Sequence, residues 1–129
     1  MQRLGEFSLI FDQKEFEFGE MLTTDARTGE LTMPYYSFST GADAFIKTCY
    51  ECGWVLTNFD WPTWQSTPEA IKLRDNPSTI ASATPDQIAK LLTVLIRQER
   101  FSDGTLAGAF KSGLLGAILR RAMSLAHDE

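Results

Sequence analysis

Two cysteine residues, Cys49 and Cys52, form a C-x-x-C spacing that is typical of redox-active and zinc-binding sites. A redox-active pair lies at a helix N-terminus, where the helix dipole lowers the thiol pKa, but these cysteines fall in the last turn of a predicted helix. A structural zinc ion needs four ligands, and the chain has no further cysteine and one histidine, His127. We therefore interpret both cysteines as packed thiols and predict no metal and no cofactor.

One acidic residue, Asp60, stands within an aromatic segment that contains Trp54, Phe59, Trp61 and Trp64. A proline follows Trp61, so Asp60 lies close to the start of a helix and can accept hydrogen bonds from its backbone. The favoured interpretation is an aromatic part of the core in which Asp60 caps this helix. The alternative is an aromatic-walled pocket that contains one carboxylate.

Two arginines, Arg97 and Arg100, lie three positions apart near the end of a predicted helix and therefore share one side of it. Arginine can hold a carboxylate or a phosphate by two parallel hydrogen bonds. The favoured partner is an aspartate of the protein itself, Asp60 or Asp103, and the alternative is an anionic ligand. A helix–turn–helix over residues 85–121 is disfavoured because no turn signature connects its helices. The formal net charge of −5 also argues against nucleic-acid binding.

Two functions from different classes remain open. The favoured hypothesis is a binding or protein-interaction domain without catalytic activity, which holds a protein partner or a small anionic ligand. The residues predicted to form its surface are aromatic or charged: Tyr35, Tyr36, Asp60, Trp61, Trp64, Arg97, Arg100 and Asp103. The alternative is a small hydrolase or transferase in which Asp60 and Asp103 are paired carboxylates and Arg100 holds an anionic substrate. Catalysis is disfavoured because His127 lies at the end of the chain and no phosphate-binding glycine loop is present.

The hydrophobic pattern predicts a mainly α protein, a multi-helix single domain over residues 1–129 with a small N-terminal β-hairpin over about 16–36 and a helical body over about 40–126. A first helix is predicted over residues 2–12, and the alternation in Phe16-Glu17-Phe18 predicts a strand before a turn at 24–29. Thr40 is predicted to cap a helix that Gly53 ends, followed by an extended segment over 54–59.

The second half of the chain is predicted to be helical throughout. Its clearest signal is the capping box Thr84-Pro85-Asp86-Gln87, which opens a helix. The apolar residues that follow recur at helical spacing: Ile88, Leu91, Leu92, Leu95 and Ile96. Ser102 and Asp103 are predicted to start the next helix, which Gly113 ends. A last apolar stripe contains Leu114, Leu115, Ile118, Leu119, Ala122 and Leu125.

Composition limits the environment of the protein. Hydrophobic residues make up 43% and charged residues 22% of the chain, which indicates a globular protein. The longest apolar region, residues 114–125, is interrupted by Arg120 and Arg121, which argues against a membrane span. Charged residues near the N-terminus argue against a signal peptide, so a cytoplasmic location is expected. The many aromatic residues of a small domain also favour a homodimer that would bury them.

Several motifs occur together in this chain: Phe59-Asp60-Trp61-Pro62-Thr63-Trp64, Leu91-Leu92-Thr93, Arg97, Arg100-Phe101-Ser102-Asp103-Gly104, Leu106, Phe110, Ser112-Gly113 and Ile118-Leu119-Arg120-Arg121. Their combination, over roughly residues 35–121, resembles a family of small bacterial proteins classified as a domain of unknown function, number 6508. In that family Glu is usual at the position of Asp103 and His is frequent at the position of Thr105, and this chain departs from both. The resemblance implies a bacterial, cytoplasmic setting and no particular activity, substrate or catalytic residue.

Overall fold

The computed structural model describes residues 2–13, 15–24, 29 and 31–127 of the chain. The elements are α1 (Gln2–Gly5), α2 (Phe7–Phe11), β1 (Gly19–Thr24), β2 (Leu31–Phe38), α3 (Thr40–Glu51), α4 (Trp61–Trp64), α5 (Pro68–Asp75), a 3-10 helix (Pro77–Ser82), α6 (Pro85–Glu99), α7 (Thr105–Ser112) and α8 (Leu114–His127). The two strands form an antiparallel hairpin in which Met21 pairs with Tyr36. The predicted mainly α class with a small N-terminal hairpin is confirmed. The single-domain organisation stays a prediction.

The N-terminal region packs through phenylalanine rings. The predicted helix over 2–12 is instead two short helices, with a turn at Glu6 between them. Phe7 and Phe11, four positions apart, are buried on one side of α2. They belong to a group that we call the phenylalanine cluster, which contains Phe7, Phe11, Phe16, Phe18, Phe45 and Phe110. Ring centroids in this cluster lie between 4.8 and 5.8 Å apart.

The predicted strand at Phe16-Glu17-Phe18 is wrong, since β1 begins only at Gly19. The spacing of Phe16 and Phe18 places both side chains on one side of the chain, as it would in a strand, and both contact the ring of Phe110 in α7. These two rings therefore join the helical core before the hairpin starts. Most of the predicted turn at 24–29 lies outside the described residues.

Helix α3 is capped one residue earlier than predicted. The Oγ atom of Ser39 accepts the backbone N–H of Ala42 at 3.3 Å, so Ser39 is the N-cap and Thr40 is the first helical residue. Gly53 follows the helix with a φ of +79°, which confirms that it ends there.

Residues 54–59 form an irregular loop rather than the predicted extended segment. The loop is attached to α6 by the fully buried side chain of Thr93. The Thr93 hydroxyl accepts the backbone N–H of Leu56 at 2.9 Å and donates to the carbonyl of Ala89 at 2.7 Å. This side chain thus holds the loop that precedes α4 against α6.

Helix α6 follows its predicted pattern closely. Both hydrogen bonds of the capping box between Thr84 and Gln87 are present. The predicted core residues of α6 are all buried: Ile88, Leu91, Leu92, Leu95 and Ile96. In α8 the buried residues are Leu114, Leu115, Ile118, Leu119 and Ala122, whereas Leu125 is half-buried.

Helix α7 begins at Thr105, not at Ser102 or Asp103 as predicted. Its first turn is capped by a carboxylate from the preceding helix. The Glu99 oxygens accept the backbone N–H groups of Gly104 at 2.8 Å and Leu106 at 2.9 Å. An acidic group at this position also interacts favourably with the positive end of the helix dipole.

The first and last described helices touch each other. Gly5 is buried against the backbone of Met123, and a methyl group at Gly5 would lie 2.8 Å from the Met123 Cα. Such a distance is shorter than any ordinary van der Waals contact, so this approach depends on glycine. Within the described part of the chain, no helix combines the length and apolar character needed to cross a bilayer.

Candidate functional site

The structure brings several of the predicted surface residues to the loop that joins α6 and α7. At this loop the ring of Phe101 lies over that of Trp61 from α4, with centroids 6.3 Å apart and planes inclined by 32°. Phe101 is 78% exposed and Trp61 is half-buried. Arg100 precedes Phe101 directly and is exposed. We call the surface formed by Trp61, Arg100 and Phe101 the aromatic–arginine patch.

Asp103 connects this loop to the hairpin. Its carboxylate accepts the backbone N–H of Tyr36 in β2 at 3.3 Å. Tyr36 itself is half-buried, and its burial together with the negative charge of Glu99 raises the pKa of its hydroxyl. Asp103, Tyr36 and Glu99 therefore lie in one region, next to the turn that carries Phe101.

Asp60 caps α4, as the structural interpretation of the sequence predicted. Its carboxylate accepts the backbone N–H of Thr63 at 3.3 Å and the Thr63 hydroxyl at 2.7 Å. Asp60 and Asp103 are both exposed, and each has a separate hydrogen-bond partner.

The predicted ion pairs of the arginines with Asp60 or Asp103 do not form. The ion pairs among the described side chains are Arg3–Glu51, Lys47–Glu51 and Lys90–Asp86. Arg97 instead donates to the carbonyl of Leu56 at 3.4 Å and is half-buried. Asp103 and Asp60 bind N–H and O–H donors of Tyr36 and Thr63.

Trp64 does not belong to the surface that the sequence predicted. Its side chain is only 8% exposed and packs beside Phe59, with ring centroids 5.9 Å apart. The Lys90 ammonium group lies 5.8 Å from the Phe59 ring and 5.9 Å from the Trp64 ring, which is within cation–π range. Tyr35, in contrast, is 39% exposed on β2.

Three residues of this region were missed as functional or positioning residues: Thr93, Glu99 and Phe101. Phe101 had a detectable signal, since a lone aromatic side chain follows the end of an amphipathic helix between polar neighbours. Glu99 stands shortly before a helix start, but glutamate is common at such positions and its partners could not be inferred. Thr93 lies within an apolar stripe, where a hydroxyl needs a partner that only the fold supplies.

The two thiols differ in environment. Cys49 is fully buried, Cys52 is exposed, and the cysteines are not joined by a disulfide. Burial, together with the nearby Cys52, raises the pKa of the Cys49 thiol well above its usual range. The described residues contain no group of three or more His, Cys, Asp or Glu side chains arranged to hold a metal ion.

We expect one fast-reacting thiol in the native protein at pH 8, because the thiolate is the reactive species and only Cys52 is accessible. A chromogenic disulfide reagent should label the second thiol only after unfolding. Because the Cys49 pKa is raised in the fold, the neutral Cys49 thiol contributes fully to the free energy of unfolding below the unfolded pKa of about 8.5. This contribution is lost as the pH rises above that value. Cys52→Ser should abolish the fast phase, and two equally fast thiols would contradict this assignment.

These observations define a small, mainly helical protein with an N-terminal hairpin and an exposed patch of aromatic and arginine side chains. The chain belongs to the Family of unknown function (DUF6508), whose model matches residues 1–128. The family resemblance of the sequence motifs is thereby confirmed. No curated protein and no solved structure matches the chain.

Proposed function

We propose that this protein is a binding domain without catalytic activity, and that it holds an acidic segment of a partner protein on the aromatic–arginine patch. The observation that carries the proposal is the exposed ring of Phe101 beside the half-buried ring of Trp61. A phenylalanine left 78% exposed on a loop loses the free energy that its burial would contribute. A partner that covers this ring would recover that free energy. A bacterial and cytoplasmic setting is part of the proposal and rests on the family motifs.

Arg100 is the feature of the patch that favours an acidic partner. Arg100 is exposed next to Phe101 and forms none of the ion pairs among the described side chains. The carboxylates of Asp103 and Glu99, which lie nearby, already accept backbone N–H groups. Arginine and aromatic residues are enriched at protein interfaces, where arginine can bind a carboxylate by two hydrogen bonds.

The hydrogen bonds of Asp60 and Asp103 support the second part of the proposal, the absence of catalytic activity. Asp60 caps α4 and Asp103 binds the edge of β2, so each carboxylate has a structural partner. Both are exposed to solvent, whereas a pair of catalytic carboxylates works in two different environments. A binding role needs no such carboxylate pair.

A displayed library of random peptides, selected on the purified protein, tests the proposal. We expect the selected peptides to be rich in Asp and Glu, and their binding to weaken about tenfold or more in Phe101→Ser and in Arg100→Glu. Both variants should keep the stability of the wild type to within about 0.5 kcal/mol, because the replaced side chains are exposed.

Lys111→Glu is the matched control, since it reverses an exposed positive charge on α7 outside the patch. This variant should bind the selected peptides as the wild type does. Selected peptides without acidic enrichment, or equal binding to wild type and Phe101→Ser, would contradict the proposal.

A further inference from the structure

A groove between the 3-10 helix and α8 has a chemistry that the proposed function does not use. It has a volume of about 320 Å³, and its walls include Ser78, Ala81, Ala117, Arg120, Arg121 and Ser124. The four α8 residues recur at i, i+3, i+4 and i+7, so that they share one side of the helix. The 3-10 helix supplies the opposite wall.

No acidic side chain lines the groove, and its hydrogen-bond donors are the two guanidinium groups and the Ser124 hydroxyl, because the Ser78 hydroxyl donates to Oδ1 of Asn76 at 2.6 Å. Two guanidinium groups and two serine hydroxyls are present, and the remaining lining is the small apolar surface of two alanines and a proline. Two positive charges at adjacent positions repel each other, and an anion bound between them would relieve this repulsion.

Arg121 is positioned by the fold itself. Its Nε atom donates to the carbonyl of Ala83 at 2.8 Å, and the side chain is half-buried. This bond uses one of the five N–H donors of the guanidinium, which leaves donors on the terminal nitrogens. An arginine held in this way loses little further conformational entropy when it binds a ligand.

Arg120 is exposed and lies along α8 over Gly116. A methyl group at Gly116 would stand 3.1 Å from Nη1 of Arg120, so the guanidinium rests close to the helix at this glycine. Neither Arg120 nor Arg121 belongs to the ion pairs formed among the described side chains.

Two other cavities have a different character. One, lined by Glu69, Lys72 and Gln87, mixes charges, and its Glu69 carboxylate accepts the Gln87 amide at 3.1 Å. The other lies beside the hairpin and is lined by Glu17 and Glu20. The groove of Arg120 and Arg121 is therefore the best suited of the three to an anion.

We propose that this groove binds a small phosphorylated molecule. The phosphoryl oxygens would accept hydrogen bonds from Arg120, Arg121 and the Ser124 hydroxyl, and the organic part would lie on Ala81 and Ala117. Three donor side chains suit a tetrahedral group with three terminal oxygens better than a planar carboxylate with two. The volume of about 320 Å³ is near the lower end for ligand sites, which favours a small ligand.

Isothermal titration with inorganic phosphate, phenyl phosphate and benzoate tests the site. We expect phenyl phosphate to bind about fivefold or more tightly than inorganic phosphate, because its ring adds apolar contact, and about tenfold or more tightly than benzoate. Equal binding of phenyl phosphate and benzoate would overturn the phosphate assignment. Tighter binding of a phosphoserine peptide than of phenyl phosphate would overturn the assignment to a small molecule.

Two variants locate the binding. Arg120→Gln removes one charge, and Ala117→Leu fills the groove without changing any charge. We expect each to weaken phenyl phosphate binding about tenfold or more while the melting temperature stays close to that of the wild type. Undiminished binding in both variants would overturn the proposal.

Arg97→Gln and Arg100→Gln are the matched controls, because they remove arginines of another part of the structure. Both should bind phenyl phosphate as the wild type does, and a loss in either would overturn the assignment to this groove. Conversely, Arg120→Gln should not affect the acidic peptides selected for the aromatic–arginine patch. The two proposals can therefore fail independently.

Discussion

Replacing Phe11 with alanine is expected to lower the free energy of unfolding by about 3–5 kcal/mol, the range typical of a deleted core phenylalanine. Phe11 is 6% exposed and contacts the rings of Phe7, Phe16, Phe18, Phe45 and Phe110. Its ring connects α2 with α3, α7 and the segment before β1. A cavity at this position cannot collapse easily, because four of the five surrounding rings belong to other elements.

Denaturant unfolding followed by circular dichroism would measure the effect of Phe11→Ala. The matched control is Phe101→Ala, which deletes the same ring from an exposed position and should cost about 0.5 kcal/mol or less. A cost below about 1 kcal/mol for Phe11→Ala would show that the cluster contributes little to stability.

Replacing Glu99 with alanine is expected to cost about 2–3 kcal/mol, because two backbone N–H groups then lose a charged acceptor. Those groups belong to Gly104 and Leu106, at distances of 2.8 and 2.9 Å from the carboxylate. Leu106 is fully buried, so water has little access to replace the lost acceptor at its backbone. The first turn of α7 would also lose a favourable charge.

The same unfolding measurement on Glu99→Gln provides the control, since glutamine keeps one carbonyl oxygen and should lose about half as much. Glu99→Ala should also weaken binding of the acidic peptides, because the loop that carries Phe101 is no longer held to α6. If Glu99→Ala is as stable as the wild type, the carboxylate does not cap α7.

The elements that could be predicted from the sequence are those whose signals are local. The capping box of Thr84 and Gln87 involves residues three positions apart, so its two hydrogen bonds follow from the sequence pattern. The cap of α4 is local in the same sense, because Asp60 and the Thr63 N–H that it accepts are also three positions apart. Where adjacent residues offer the same group, as Ser39 and Thr40 do, the pattern indicates the cap only to within one position.

The prediction failed where contacts are made between distant parts of the chain. Asp103 was expected to start α7, but its carboxylate accepts the N–H of Tyr36, and Glu99 provides the cap instead. Phe16 and Phe18 have the alternating spacing of a strand, but both rings pack against Phe110 in the helical core. Neither choice of partner can be read from spacing along the chain.

The candidate sites also combine features that are local in the sequence with features that depend on distant contacts. The spacing of Ala117, Arg120, Arg121 and Ser124 places them on one side of a helix, which the sequence indicates. Whether that side faces solvent or a second wall depends on how the 3-10 helix packs against it. The contact of Phe101 with Trp61 likewise depends on how the loop of residues 54–59 packs against α6, to which Thr93 attaches it.

The contact of Gly5 with Met123 has a consequence for the order of folding. It joins α1 to α8, which are nearly a full chain length apart, so the entropy of closing the longest loop must be paid to form it. Contacts among α6, α7 and α8 join sequence neighbours and are closed at a lower cost. We therefore expect α6–α8 to form the early nucleus and α1 to dock last. In native-state hydrogen exchange, the free energy of the opening reaction should then be smaller for amide hydrogens of α1 than for those of α6.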